Sequence, residues 1–250
     1  VEAIALNGIP RSTYENAAQS AMKAGIPIIA GAIDDEVAPP LIAVQDGFPE
    51  FSRLGEIEGN WLADDSKCDA NVLFIDLANF PIGQTHTRVA SETLKKICPD
   101  AVVETVTTQA ADIGTKTPGT IVSTLQSHPD ANYIFLMDSV VGIGLPAALR
   151  EAGLEGQAKI VGADAAADNI KGLKDGSEYG YVQFSPVYFA YQGLDGMVRY
   201  FNNDPQIPVW DMPLQILTKE TIGSESTEDL TFNLPRDIRD QFLNLWKVKQ

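Results

Sequence analysis

Cysteine, histidine and positive charge are all scarce in this sequence. Two cysteines, Cys68 and Cys98, and two histidines, His86 and His128, are spread over 250 residues without any CxxC or HxxH spacing. Metal sites built from thiolates and imidazoles need such clusters, so no metal is expected. The 18 basic residues are outnumbered by 34 acidic ones, for a formal charge of −16. Phosphate backbones are held by Lys and Arg clusters, so the acidic excess argues against nucleic acid as the main partner, and its plainer reading is solubility. No apolar run approaches the ~18 residues of a membrane span. Neither a GxSxG elbow nor a P-loop occurs, and the histidines flank different helices with no cysteine or paired carboxylate nearby. No catalytic constellation emerges, and the chain does not read as an enzyme.

One dinucleotide-like pattern does occur. Gly142-Ile-Gly144-Leu-Pro-Ala147 fits GxGxxA, and Asp164 lies 20 residues after Gly144. A true fingerprint places its first glycine at the tight turn where the strand ends. Here the strand ends near Met137 and four residues intervene. Pro146 and Ala147 read as an ordinary first helical turn, and no cofactor is expected.

What is present is a strand-turn-helix cycle in a chain that is 44 % hydrophobic, enough for a real core. Strands are expected at about 3–6, 26–30, 41–45, 71–77, 101–107, 132–137, 159–163, 180–184 and 213–218. Helices are expected at about 14–24, 53–63, 84–97, 118–128, 141–152, 167–174, 187–201 and 235–246. The first helix carries Ala17, Ala18, Ala21 and Met22 on its inner face, and the last carries Ile238, Phe242, Leu245 and Trp246 as an apolar stripe. The stretch 46–52 (DGFPEFS) interrupts the rhythm with Gly and Pro. Alternating βα units imply parallel sheets covered by helices. The strands end in small or polar residues: Asn7, Ala30-Gly31, Asn79, Asp138 and Asp164. In open α/β sheets ligands bind at these carboxyl ends, so the chain looks built around a small-molecule cleft.

Cys68 precedes the strand at 71–77 and Cys98 ends the helix that follows it. Those two points lie at the same edge of a βα layer, so a disulfide is sterically allowed and would point to an oxidising compartment. Two buried thiols fit the sequence equally well.

The runs AIALNGIPRSTYENAAQSAMKAGIPIIA, LFIDLANFPIGQTHTRVASETL, HPDANYIFLMDSVVGIGLPAALREAG and KIVGADAAADNIKGLKDG resemble the type I periplasmic sugar-binding proteins. These are solute receptors of ABC importers, such as ribose-binding protein. The resemblance runs over most of 1–218 and stops there. It implies two doubly wound α/β lobes joined by three crossovers near 45–52, 184–187 and 211–214. One lobe would comprise 1–46 with 187–212 and would lack its first strands. The other would be 47–186, and 213–250 would hold a final hinge strand and a tail.

It also implies a ligand site. Asn7 would donate and accept, Arg88 would donate a guanidinium fork, and Asp138 and Asp164 would accept from hydroxyls. Asn79 and Phe80 would form pocket wall. Ile113, Ala163 and Phe184 stand where the family carries, respectively, an aromatic, an aromatic and a polar residue, which suggests a larger or more apolar pocket. Each position has a plainer reading: an Asx-turn for Asn7, a surface ion pair for Arg88, helix caps for Asp138 and Asp164, core packing for the phenylalanines.

The expected function is therefore an exported solute-binding protein, periplasmic or membrane-anchored. It would be monomeric and would pass a sugar, polyol or related metabolite to an ABC permease. The alternative is the effector-binding core of a lactose-repressor-type regulator, which shares the fold.

Overall fold

The computed structural model describes residues 1–204, 206–208, 211–223, 234–235 and 237–247. Two sheets organise it. The first holds β1 (Ile4–Asn7), β2 (Ile28–Gly31) and β3 (Leu41–Gln45), all parallel, in the order β1-β2-β3. The second has six strands in the order β5-β4-β6-β7-β8-β9. These are β4 (Asn71–Leu77), β5 (Val102–Thr108), β6 (Tyr133–Leu136), β7 (Lys159–Ala163), β8 (Gly180–Gln183) and β9 (Gln215–Thr218). All neighbours are parallel except β9, which runs antiparallel on β8.

The helices are α1 (Arg11–Lys23), α2 (Phe48–Ser66), α3 (Pro81–Ile97), α4 (Thr117–Ser127), α5 (Leu145–Glu151), α6 (Ala167–Asp175), α7 (Pro186–Phe201) and α8 (Ile238–Leu245). Two of the starts that differ from expectation do so for one reason. Pro49 and Pro81 stand in the first turns of α2 and α3, where a proline loses no hydrogen bond and its fixed φ suits the helix. The stretch at 46–52 is therefore a crossover running straight into α2, not an interruption.

Strand alternation sends the sides of β4 into two different cores. Leu73, Ile75 and Leu77 pack with Ile121, Leu125 and Leu149 beneath α4 and α5. Val72 and Phe74 pack with Leu62, Ala90 and Leu94 beneath α2 and α3. Helices α2 and α3 lie unusually close. A Cβ at Gly55 would fall 2.8 Å from Val89 Cβ, and one at Gly59 would fall 2.6 Å from Thr93 Cβ. Cys68 and Cys98 are joined in a disulfide with Cα atoms 5.2 Å apart, tying the end of α2 to the end of α3.

The first sheet is covered by α1 on one side, through Ala18 and Ala21, and meets α7 on the other through β2 and β3. Ala17 and Met22 are exposed rather than inward, because the buried line of α1 runs Tyr14-Ala18-Ala21. Helix α8 returns to α7. Phe242 stacks on Tyr191 with centroids 4.9 Å apart, and the Trp246 indole donates to Asp195 Oδ1 at 2.9 Å. Leu245 falls off that stripe and is half exposed. The chain passes between the sheets three times, after β3, after β8 and before β9. Residues 224–233, 236 and 248–250 of the expected tail lie outside the described residues.

Candidate functional site: the interlobe cleft

The carboxyl ends of both sheets face each other, and the two lobes touch there. The Thr85 hydroxyl, in the first turns of α3, donates to Asp34 Oδ2 at 3.1 Å. Gly8, just after β1, carries φ +66°, and a Cβ built on it would fall 2.9 Å from Phe80 Cε2. Only a residue without a side chain lets the two lobes approach so closely. Beside these contacts lies a cavity of about 310 Å³, walled by Gly8, Ser12, Asp34 and Asp35 of the first lobe and Pro81 and Ile82 of the second.

The second lobe presents two carboxylates on neighbouring strands. Asp138 follows β6 and caps the next turn, accepting from the Val140 amide at 2.9 Å. Asp164 follows β7 with φ +55° and accepts from Gln183 Nε2 at 3.1 Å. Gln183 is buried and also receives the Ala165 amide on Oε1 at 2.6 Å, so it fixes the turn that carries Asp164. Burial, with the charge of Asp138 second, pushes the Asp164 carboxyl up to about 7. Burial also raises Asp138, against the Val140 amide and His86. Two acceptors placed side by side suit a ligand that brings its own donors.

Behind them stands a buried pair. His86 Nδ1 lies 2.8 Å from Glu58 Oε2, with both side chains almost wholly buried between α2 and α3. Burial favours the neutral imidazole, but Glu58, with Asp76 and Asp138 further off, outweighs it and raises the histidine's pKa. The expectation that His86 has no carboxylate partner is thus corrected: Glu58 is distant in sequence and adjacent in the fold. His128 also has one, Glu104, at 2.6 Å on the surface.

The remaining candidates are dispersed. Asn7 is exposed and lines an apolar groove of about 440 Å³ between the first sheet and α7, together with Gln45, Asp46 and Phe189. Asn79 is exposed in the left-handed region at φ +61°, and Phe80 is half-buried against Gly8. The Arg88 guanidinium is held by Glu92 at 3.0 and 3.1 Å on the exposed side of α3. It reaches the cleft only as a charge sensed by Asp34.

The three positions expected to enlarge the pocket are engaged in packing. Ile113 rests on the core beneath α4 and α5. Ala163 is 1 % exposed and lies in the cluster between the lobes. Phe184 belongs to the same cluster and stacks on Phe189 with centroids 5.0 Å apart.

Sequence reasoning passed over Asp34, Thr85 and Gln183. Asp34 belongs to an acidic turn directly after a strand, and Gln183 is a polar strand end. Both follow the strand-end rule used for the other candidates. Thr85 carries no such signal, since it gains meaning only from the lobe opposite.

Comparison with known proteins gives a consistent outcome. A search of the curated proteins finds no match. Among solved structures, an ABC transporter periplasmic solute-binding protein from Actinobacillus succinogenes 130z with bound D-allose is similar at 22% identity, covering 88% of this chain and 79% of that one, with a TM-score of 0.73. A solute-binding protein from Agrobacterium vitis bound with α-D-tagatopyranose is 17% identical over 92% of this chain and 79% of that one, with a TM-score of 0.75. A 5-methylthioribose transporter solute-binding protein from Thermotoga lettingae TMO, with that ligand, is 15% identical over 98% of this chain and 73% of that one, with a TM-score of 0.76. At such identities these likenesses concern the fold. The model of the periplasmic binding protein domain matches residues 1–205, most of the chain, and the chain belongs to that family.

Proposed function

We propose that this chain is an extracytoplasmic solute-binding protein that captures a sugar or sugar-like ligand between its lobes and presents it to an ABC importer. The observation that carries the reading is the pairing of Asp138 and Asp164 at the ends of adjacent strands of the second lobe. The solved relatives hold D-allose, α-D-tagatopyranose and 5-methylthioribose, which supports a hydroxyl-rich ligand here. The lobes would comprise 1–46 with 187–212, and 47–186, swinging about the three crossovers. Asp138 and Asp164 would accept from ligand hydroxyls, Gln183 would hold Asp164, and Phe80 would wall the pocket. Asn7 and Arg88 would act only after turning toward the cleft, Arg88 by leaving Glu92.

Such a protein binds and releases its ligand unchanged and is not an enzyme. The disulfide supports an oxidising compartment, which suits an exported receptor better than a cytosolic regulator. A thermal-shift panel of pentoses, hexoses and polyols tests the reading, because a ligand bound only by the folded state raises Tm with concentration. A panel in which no sugar or polyol shifts Tm at millimolar concentration refutes it. Small-angle scattering with a hit in place should show contraction on closure.

A further inference from the structure

Helix α8 lies beyond residues 1–205, the span of the family match, and takes no part in the cleft. Strand β9 before it belongs to the second sheet, yet α8 packs on α7, which covers the first. The last helix thus returns to the lobe opposite its own strand. Leu234, Ile238 and Phe242 are buried against Tyr188, Tyr191 and Trp246. The Trp246 indole donates to Asp195, a carboxylate 1 % exposed that Arg199 Nε also holds at 2.7 Å. A hydrogen bond to an ionised acceptor is a strong one, and this one pins α8 to α7 in a single register.

The part of α7 that α8 grips adjoins the hinge. Tyr188 follows Pro186, the first residue of α7, by two positions. Burial raises the pKa of its hydroxyl, and the charges of Asp46 and Asp211 add to the rise, so Tyr188 stands beside the first crossover and the third. Gln45 donates to the Pro208 carbonyl at 3.2 Å, and Arg53 of α2 donates to the Met212 carbonyl at 2.7 Å. Phe189, next to Tyr188, stacks on Phe184 at the end of β8, and Phe184 meets Phe51 of α2 with centroids 6.0 Å apart. The start of α7 is therefore wedged between α8 and a line of rings that leads into the second lobe.

We infer that α8 is a brace on the hinge: docked on α7, it seats Tyr188 among the crossovers and holds the lobes in the contact made by Gly8 and Phe80. Undocking would uncover Tyr188 and Tyr191 and free the first turn of α7 to move off Phe184. Packed helices shift between discrete arrangements rather than deforming smoothly, so that movement would let the lobes part. On the solute-binding reading the brace raises affinity from a distance, because apparent affinity scales with the fraction of protein already in the competent arrangement.

Hydrogen exchange read by mass spectrometry, with small-angle scattering, tests the brace on the whole chain without any ligand, so its outcome is separate from the solute-binding reading. Phe242→Ala removes the ring stacked on Tyr191, and Trp246→Phe keeps a ring but removes the bond to Asp195. Ile121→Ala, in the core beneath α4 and α5, serves as a variant destabilised far from α8. In Phe242→Ala, exchange over 45–48, 184–189 and 211–214 should quicken about tenfold or more, as local opening becomes easier, and the radius of gyration should rise. Trp246→Phe should show the same change to a smaller degree, and Ile121→Ala should lower Tm without it. Faster exchange confined to α7 and α8, with the crossovers and the scattering as in the wild type, overturns the inference. Equal quickening at the crossovers in Ile121→Ala overturns it too, since general loosening would then suffice. If circular dichroism shows Phe242→Ala unfolded, Trp246→Phe decides alone, and wild-type exchange at its crossovers overturns the brace.

Discussion

Replacing Asp46 by asparagine should remove a large part of the protein's dependence on pH. Asp46 ends β3 at the first crossover, is 1 % exposed, and neither oxygen receives a well-formed hydrogen bond. Burial, with Glu50's negative charge second, drives its carboxyl up to about 8 from the usual 3.8, and Gln192 offsets this only in part. An acid whose pKa is raised by folding binds its proton more tightly in the native state than in the unfolded chain. Stability is therefore highest below the unfolded pKa and is lost as pH rises through the window from about 4 to about 8. At about 1.36 kcal/mol per unit, the two units from pH 5 to pH 7 cost about 2.7 kcal/mol. For a chain of this size each kcal/mol moves Tm by roughly 2–4 °C, giving about 5–11 °C from this one group. Asparagine keeps the shape, does not titrate, and tolerates the left-handed φ of +48° found here. Asp164, raised to about 7, pulls in the same direction and is unchanged in the variant, so the difference between the two curves isolates Asp46. Scanning calorimetry of both proteins from pH 5 to pH 8 reads it directly. Parallel Tm curves would refute the reasoning and show that Asp46 is ionised and stabilised in the folded state.

Gly8→Ala should lower Tm and raise the radius of gyration, because the new methyl meets Phe80 and the left-handed φ costs about 1–2 kcal/mol; an unchanged scattering profile would show that the lobes meet elsewhere. Reducing the disulfide, or replacing Cys68 and Cys98 together by serine, should cost about 3.5 kcal/mol, the entropy of a loop closed over 30 residues; reductant-independent unfolding would show free thiols instead. Asp164→Ala should weaken binding of any sugar found in the panel by 1.5–3 kcal/mol, or about 10–150-fold, and a change within about twofold would remove it from the site. His86→Ala leaves Glu58 buried and unpaired, which should cost about 3–5 kcal/mol by denaturant titration, and a much smaller loss would show that Glu58 is protonated.

Much of the architecture was legible because parallel α/β chains alternate two clear periodicities. The strands at 41–45, 71–77 and 159–163 coincide with the observed β3, β4 and β7, where apolar runs end abruptly in polar turns. Helix starts were less legible, because proline reads as a breaker in isolation. In five helices, α2, α3, α4, α5 and α7, it stands in the first turn. The strand-end rule that picked out Asp138 and Asp164 as candidates applies equally to Asp34 and Gln183. It missed the direction of side chains. Arg88 sits on the expected helix but folds along it to Glu92, and Ala163 turns into the packing between the lobes.

What the sequence determined by itself is the order of elements, the polarity of strand ends and the excess of acid over base, all of them properties of neighbours along the chain. The tertiary structure alone decided which distant groups meet: Glu58 with His86 across 28 residues, Asp34 with Thr85 across 51. The physical reason is that local pattern sets the type and face of an element, while contact depends on how closely elements approach. Gly8 lets the lobes touch, and Gly55 and Gly59 let α2 and α3 press together around the buried pair.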